Sequence, residues 1–194
     1  MVGTVTLGVS IPVPEPHGSR LQRRRLGFGD AAASGIPTHV TLLPPTEVAA
    51  ADRPAIEDHL AAIAADAGPF PMRLHGTGTF RPLSPVVFVR VVEGVSACGR
   101  LQERVRADGG PLARELPFPY HPHVTVAHGV PEGALDAAQA ELAAYEADWT
   151  VSGFALYEQG PGGAWSLRRA FAFAPCPRQR GTRTASRERP LEAA

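Results

Sequence analysis

Two short stretches of this 194-residue chain share one triplet: "PTHVTLLPP" at 37–45 and "HPHVTVAHG" at 121–129. Each sets an imidazole and a hydroxyl two residues apart, His39 with Thr41 and His123 with Thr125. With seven His and eleven Thr in the chain, about 0.4 His-x-Thr triplets are expected by chance, so one copy carries little weight. Two copies sharing the central Val, each followed by an apolar residue and a loop, are harder to assign to composition. In an extended strand, residues two apart point to one face, so His39 and Thr41 project together while Val40 and Leu42 project the other way. The second copy behaves alike, with Val124 and Val126 as the buried set. Two histidines near neutral pKa suit paired proton transfer, one taking a proton from an attacking oxygen while the other gives one to a leaving oxygen. A threonine hydroxyl donates one uncharged hydrogen bond and can hold a phosphate oxygen. The arrangement calls for no metal and no cofactor, since no Asp or Glu sits at ligand spacing beside either histidine.

Other residues are weighed against duller roles. His121, His123 and His128 could suggest a zinc site, but Pro122 interrupts the strand and no fourth ligand is evident. "GTGTF" at 76–80 lacks the Gly-Lys-Ser/Thr ending of a phosphate loop. His59 and His75 read as surface or core positions, and His17 as a loop residue. Arg81, Arg168 and Arg169 lie near strand ends, and by alternation only one of the adjacent pair can face a cleft. Phe80, Tyr120 and Tyr157 are aromatic residues near the motif strands, where a base could stack. All nineteen basic residues are Arg, which excludes a lysyl nucleophile or Schiff base. The formal net charge is zero, so an anionic ligand must be held locally rather than by a global field.

The elements that must position these residues alternate. Strands are expected at 4–12, 38–43, 70–80, 85–94, 121–130, 148–160 and 164–173. Helices are expected within 19–32, from a cap-like Thr46 to Gly68, over 95–110 and over 132–147. The offset between the histidines, 123 minus 39, is 84 residues, too long and too few for a solenoid. The pattern is read as a duplication: an α+β fold of two pseudo-symmetric lobes of antiparallel sheet with outer helices around a central cleft. Residues 1–174 then form a single bilobal domain, and 175–194, with five Arg and almost no large apolar residue, a disordered tail. Cys98 and Cys176 form no framework, and the N-terminus has neither a basic leader nor a long apolar run. The expected protein is a cytoplasmic monomer away from membranes.

The doubled "HVTL" and "HVTV", the phrases "GTGTFRPLSPVVFVRV" and "FPYHPHVTVAHG", and the closing "FALYEQGPGGAWSLRRAFAF" together resemble the two-histidine phosphoesterase superfamily, in its 2′-5′ RNA ligase-like branch. The resemblance covers roughly residues 3–173. It implies a bilobal α+β fold and metal-independent action on 2′,3′-cyclic or 2′-5′ phosphodiesters, with His39, Thr41, His123 and Thr125 as the catalytic set. The expected partner is RNA with a 2′,3′-cyclic phosphate end, or a small cyclic nucleotide; a non-catalytic RNA-binding module is the competing reading. His123 is expected to activate water and His39 to protonate the leaving oxygen. Phe80, Arg81, Tyr120, His128 and Tyr157 are the expected substrate contacts. The chain departs from the family at His128, where many relatives carry an arginine; by strict alternation His128 faces away from His123 unless its strand bulges.

Overall fold

The computed structural model describes residues 3–175. Eight strands and four α-helices follow one another as β1 (Thr4–Pro12), α1 (His17–Gly27), β2 (His39–Ala49), α2 (Arg53–Ala65), β3 (Phe70–Thr79), β4 (Val86–Glu93), α3 (Val95–Val105), β5 (His123–His128), α4 (Glu132–Glu141), β6 (Glu146–Val151), β7 (Gly153–Gln159) and β8 (Trp165–Ala172). They form two antiparallel four-stranded sheets, ordered β2-β1-β7-β8 and β5-β4-β3-β6. The fold is α+β, with each motif strand at the edge of its own sheet. The run β1-α1-β2-α2 is matched by β4-α3-β5-α4, the duplication expected from the sequence. The second sheet is one contiguous stretch of chain, whereas the first is closed only when β7 and β8 return from the C-terminal side.

The return hinges on one residue. The expected single strand over 148–160 is two: β6 pairs with β3 in the second sheet, β7 pairs with β1 in the first, and Ser152 lies between them. The switch carries Ala147 and Val151 of β6 and Phe154 and Leu156 of β7 into one core that joins both sheets. Leu7, Leu42 and Phe154 from the first pack in the same cluster as Leu74, Val89 and Val124 from the second. Truncating any such fully buried Leu to Ala costs about 2–5 kcal/mol, through lost burial and the cavity left behind.

Two further expectations are corrected. Thr46 does not cap a helix: it lies inside β2, opposite Leu7, and α2 starts later with Pro54 in its first turn, where no backbone donor is required. His17 is not a loop residue but opens α1, with its ring stacked 6.4 Å from that of Trp149. Cys176 and the tail expected to be disordered lie outside the described residues. Among the described residues no helix is long and apolar enough to cross a membrane.

The motif strands share a local irregularity that sequence alternation could not reveal. In β2 the register shifts so that Thr41 faces Ser10 and Leu43 faces Val9, leaving Leu42 as an extra residue; Leu42 and Leu43 are both buried. In β5 the register shifts at the same offset, with Thr125 opposite Phe88 and Ala127 opposite Val87; Val126 and Ala127 are both buried. A bulge of this kind turns two successive side chains to one side and inverts the facing of the residues beyond it. His128 therefore lies on the face of His123 and Thr125, and Pro44 takes the equivalent place after the first motif.

Candidate active site

The two motif histidines are held in the same way. His39 Nδ1–H donates to the Pro37 carbonyl at 2.6 Å, and His123 Nδ1–H donates to the His121 carbonyl at 2.7 Å. A carbonyl only accepts, so this bond fixes the proton on Nδ1 and leaves Nε2 as the free basic nitrogen in each neutral ring. In both copies the acceptor lies two residues upstream, so the pseudo-symmetry extends to the tautomer. Val40, Leu42, Val124 and Val126 are buried behind, as alternation requires, while the His and Thr side chains are only half-buried.

Each ring is braced differently. On the first lobe, the carbonyl of Pro37 belongs to a segment tied to α1. Gln22 Nε2 donates to the carbonyls of Ala33 and Ile36, and Thr38 Oγ1 donates to Gln22 Oε1 at 2.6 Å. Arg25 Nε meets Asp30 Oδ2 at 2.7 Å in a fully buried ion pair, and Asp30 Oδ1 also accepts from the Ala32 backbone at 3.1 Å. On the second lobe the brace is aromatic: the His123 ring lies 4.9 Å edge-on from Phe80 and 5.0 Å from Phe88. Phe88 can sit there because Gly78 faces it; a Cβ on Gly78 would meet the Phe88 ring at 2.7 Å. Tyr120 joins the lobes, donating its hydroxyl to the Thr41 carbonyl at 2.8 Å.

Burial lowers the pKa of both histidines, because a charged imidazolium loses its hydration there; the backbone carbonyls partly oppose the shift. The Arg25 guanidinium lowers His39 further. His123 is lowered further by positive charge on His121 and on His39, so the two motif rings feel each other's charge and resist holding two protons at once.

Two pockets adjoin this pair. One is lined by Gly8, Ser10, Ile36, His39, Tyr157 and Trp165, among others, and the other by Phe80, Leu83, Phe118, Tyr120, His121 and His123; Thr41 lines both. His39, Thr41, His123, Phe80, Tyr120 and Tyr157 are thus brought to one region. Thr125 lies on the His123 face, though it lines neither pocket. His128 is exposed at the strand end.

Arg81 is not brought there. Its guanidinium is held by Glu132, by Asp136 at 2.9 Å and by Gln139 at 2.9 Å, pinning the β3–β4 turn to α4. Arg168 and Arg169 both reach Glu57, at 2.8 and 3.1 Å, because a register shift in β8 cancels the alternation expected to separate them. Sequence reasoning missed Arg90, the cross-strand partner of His123, which is exposed and has no carboxylate partner among the described residues. It also missed Trp165, whose ring stands over Gly8. Alternation in "VVFVRVVE" sets Arg90 and Phe88 on one face, but only the strand register shows that His123 shares it. Among the described residues no group of three His, Cys, Asp or Glu side chains gathers to hold a metal ion.

Comparison with known proteins places this geometry. A family model described as the 2′-5′ RNA ligase superfamily matches residues 13–163. A candidate phosphoesterase of Halalkalibacterium halodurans is 26% identical over 138 residues, covering 70% of this chain and 79% of its own length. One of Geobacillus kaustophilus is 29% identical over 138 residues, covering 70% and 78%. Among solved structures, TT0787 of Thermus thermophilus superposes with a TM-score of 0.64 at 24% identity, covering 87% of this chain and 97% of that one. Escherichia coli LigT complexed with 3′-AMP gives 0.64 at 18% identity, covering 88% and 99%. At these identities the structural likeness speaks for the fold.

Proposed function

The chain belongs to the 2′-5′ RNA ligase superfamily, and from that premise we propose that it is a metal-independent phosphodiesterase opening the 2′,3′-cyclic phosphodiester ends of RNA. The observation that carries this reading is the matched pair of imidazoles, each with Nδ1 tied to a carbonyl and Nε2 left free. One free nitrogen takes the proton of an attacking water as its oxygen bonds to phosphorus. The bond from phosphorus to one ribose oxygen breaks, and the other imidazole, protonated, gives that oxygen its proton. The products are a phosphomonoester and a free ribose hydroxyl. Mutual repulsion favours the singly protonated pair that this step needs. In this reading His39, protonated, is the acid and His123 the base.

Thr41 and Thr125 hold the non-bridging phosphate oxygens, each by one neutral hydrogen bond. Phe80 aligns His123 as well as lining the pocket, and Tyr157 offers a stacking face beside His39. His128, turned to the catalytic face by the bulge, supplies an ionisable contact in place of arginine. With a 5′-hydroxyl in place of water, the same proton transfers join RNA ends: one imidazole takes the hydroxyl proton as its oxygen bonds to phosphorus, and the other protonates the ribose oxygen that leaves. The protein is a cytoplasmic monomer in this reading, with residues 1–174 as one bilobal catalytic unit. LigT has been crystallised with 3′-AMP and with NADP+, which supports nucleotide-like ligands for a fold of this shape.

The test is turnover without metal. In EDTA, cyclic-ended RNA and 2′,3′-cyclic mononucleotides should be hydrolysed, and a linear 3′-hydroxyl RNA should not. Equal binding of cyclic-ended and linear RNA with no turnover would instead favour a non-catalytic RNA-binding module.

A further inference from the structure

Four arginines among the described residues are carried on strands, and three of them are occupied. Arg73 is ion-paired with Glu146, and Arg168 and Arg169 with Glu57. The fourth, Arg90, is exposed and has no carboxylate partner among the described residues. Its one hydrogen bond there runs from Nε to the His75 carbonyl at 3.3 Å, which leaves the donors of both terminal nitrogens free. Register sets where it stands. Arg90 lies directly opposite His123 and two residues along from Phe88, so it rises from the face that carries His123 and Thr125. From there its side chain leans over β3. A Cβ added to Gly78 would come 3.6 Å from Arg90 Cγ, and one added to Gly76 would come 3.1 Å from Nη2. Two glycines of one strand thus clear a track for the side chain, and Gly76, at φ +64°, holds a backbone conformation that favours glycine in any case. β3 and β5 are two strand spacings apart, about 10 Å, so the guanidinium rests to one side of the phosphate that His123 would handle. No Arg lines either pocket beside the motif histidines, and His128 sits at the other end of the strand pair, opposite Val86.

Resting on the phosphodiesterase reading, we propose that Arg90 is a specificity-determining residue: it binds the phosphodiester next to the reacting one, on the 5′ oxygen of the terminal nucleoside, and so selects an oligonucleotide end over a cyclic mononucleotide. A guanidinium offers paired N–H donors to two non-bridging oxygens and keeps its charge at every working pH. A local cation is needed, because residues 1–175 hold fourteen Arg against seventeen Asp and Glu and the body as a whole repels an RNA strand. No bond changes at Arg90 and no proton moves there; it holds the strand whose end lies between the two imidazoles.

The experiment measures kcat/KM for the wild type, Arg90→Gln and Arg90→Lys on two substrates. Adenylyl-(3′-5′)-adenosine 2′,3′-cyclic phosphate has an internal phosphate, and adenosine 2′,3′-cyclic monophosphate has none. The ratio of dinucleotide to mononucleotide kcat/KM should fall about tenfold in Arg90→Gln, through KM, and Arg90→Lys should recover part of it. The slope of log kcat/KM for the dinucleotide against log salt should become shallower by about 0.7, the share of one phosphate contact on a single strand. Replacing the internal phosphate by an uncharged methylphosphonate should cost the wild type the same factor, and Arg90→Gln should not distinguish the two linkages. The proposal is overturned if the ratio holds in Arg90→Gln, as it would for a contact to the reacting phosphate or for a purely structural role, or if the variant still prefers the charged linkage as the wild type does. A wild type with no turnover on either substrate refutes the phosphodiesterase reading instead. Equilibrium binding of the dinucleotide then decides the contact: weaker binding by Arg90→Gln upholds it, and equal binding removes it.

Discussion

Tyr120→Phe is the cleanest perturbation of the contact that makes one site out of two lobes. The change removes a single oxygen and keeps the ring, which packs against the core. What is lost is the 2.8 Å bond to the Thr41 carbonyl, on the edge strand that also carries His39. A carbonyl left without its partner beside a buried ring costs about 1–3 kcal/mol, and the half-open site favours the lower part of that range because water can approach. For a chain of this length, each kcal/mol lowers the melting temperature by roughly 2–4 °C. Thermal and urea unfolding followed by circular dichroism should show that loss with an unchanged urea slope. Turnover should fall more than stability suggests, through kcat rather than KM, because a misplacement of about 1 Å between catalytic groups costs on the order of a hundredfold. Unchanged stability together with unchanged kcat would refute the view that this bond sets the spacing of the two motifs.

Three other outcomes are expected of the same geometry. Gly78→Ala should push Phe88 against His123 and lower kcat at least tenfold, while the smaller Phe88→Leu added to it should recover part of the loss; steady-state kinetics of both variants checks this. Asp30→Asn strands the buried Arg25 charge and should cost about 3–5 kcal/mol by urea unfolding. For pH, the folded-state pKa of both histidines lies below the ordinary value of 6.5, so the unfolded chain binds more protons in the window just below 6.5. Stability should therefore fall as pH drops through that window, and the fall should shrink in His39→Gln and His123→Gln, as unfolding at a series of pH values would show.

The shared facing of each His and Thr was legible because it rests on period-two alternation over three residues, a range that local sterics control. His39 with Thr41, and His123 with Thr125, needed nothing beyond that, and the helices of the second half were equally local. What escaped was set at long range. The bulges at Leu42 and Val126 exist because each strand must bury two successive side chains against its neighbour, and that depends on pairing with β1 and β4. They reverse the facing of His128 that alternation alone implies. Arg81 looked free in sequence because its partners, Glu132 and Asp136, lie 51 and 55 residues away. Arg168 and Arg169 misled for the same reason, their separation being undone by a register shift in β8. The switch of sheets at Ser152 left no local mark, since both halves of 148–160 have strand-like composition.

The central claim is that two distant His-Val-Thr triplets form one catalytic unit. Residues acting as a unit are non-additive: once one is gone, the other has nothing to complete. The direct measurement is kcat/KM on a cyclic-ended oligonucleotide in EDTA for His39→Ala, His123→Ala and the double variant. Each single variant should fall to the level of the double. Losses that multiply, or one single variant that retains substantial turnover, would contradict the paired mechanism.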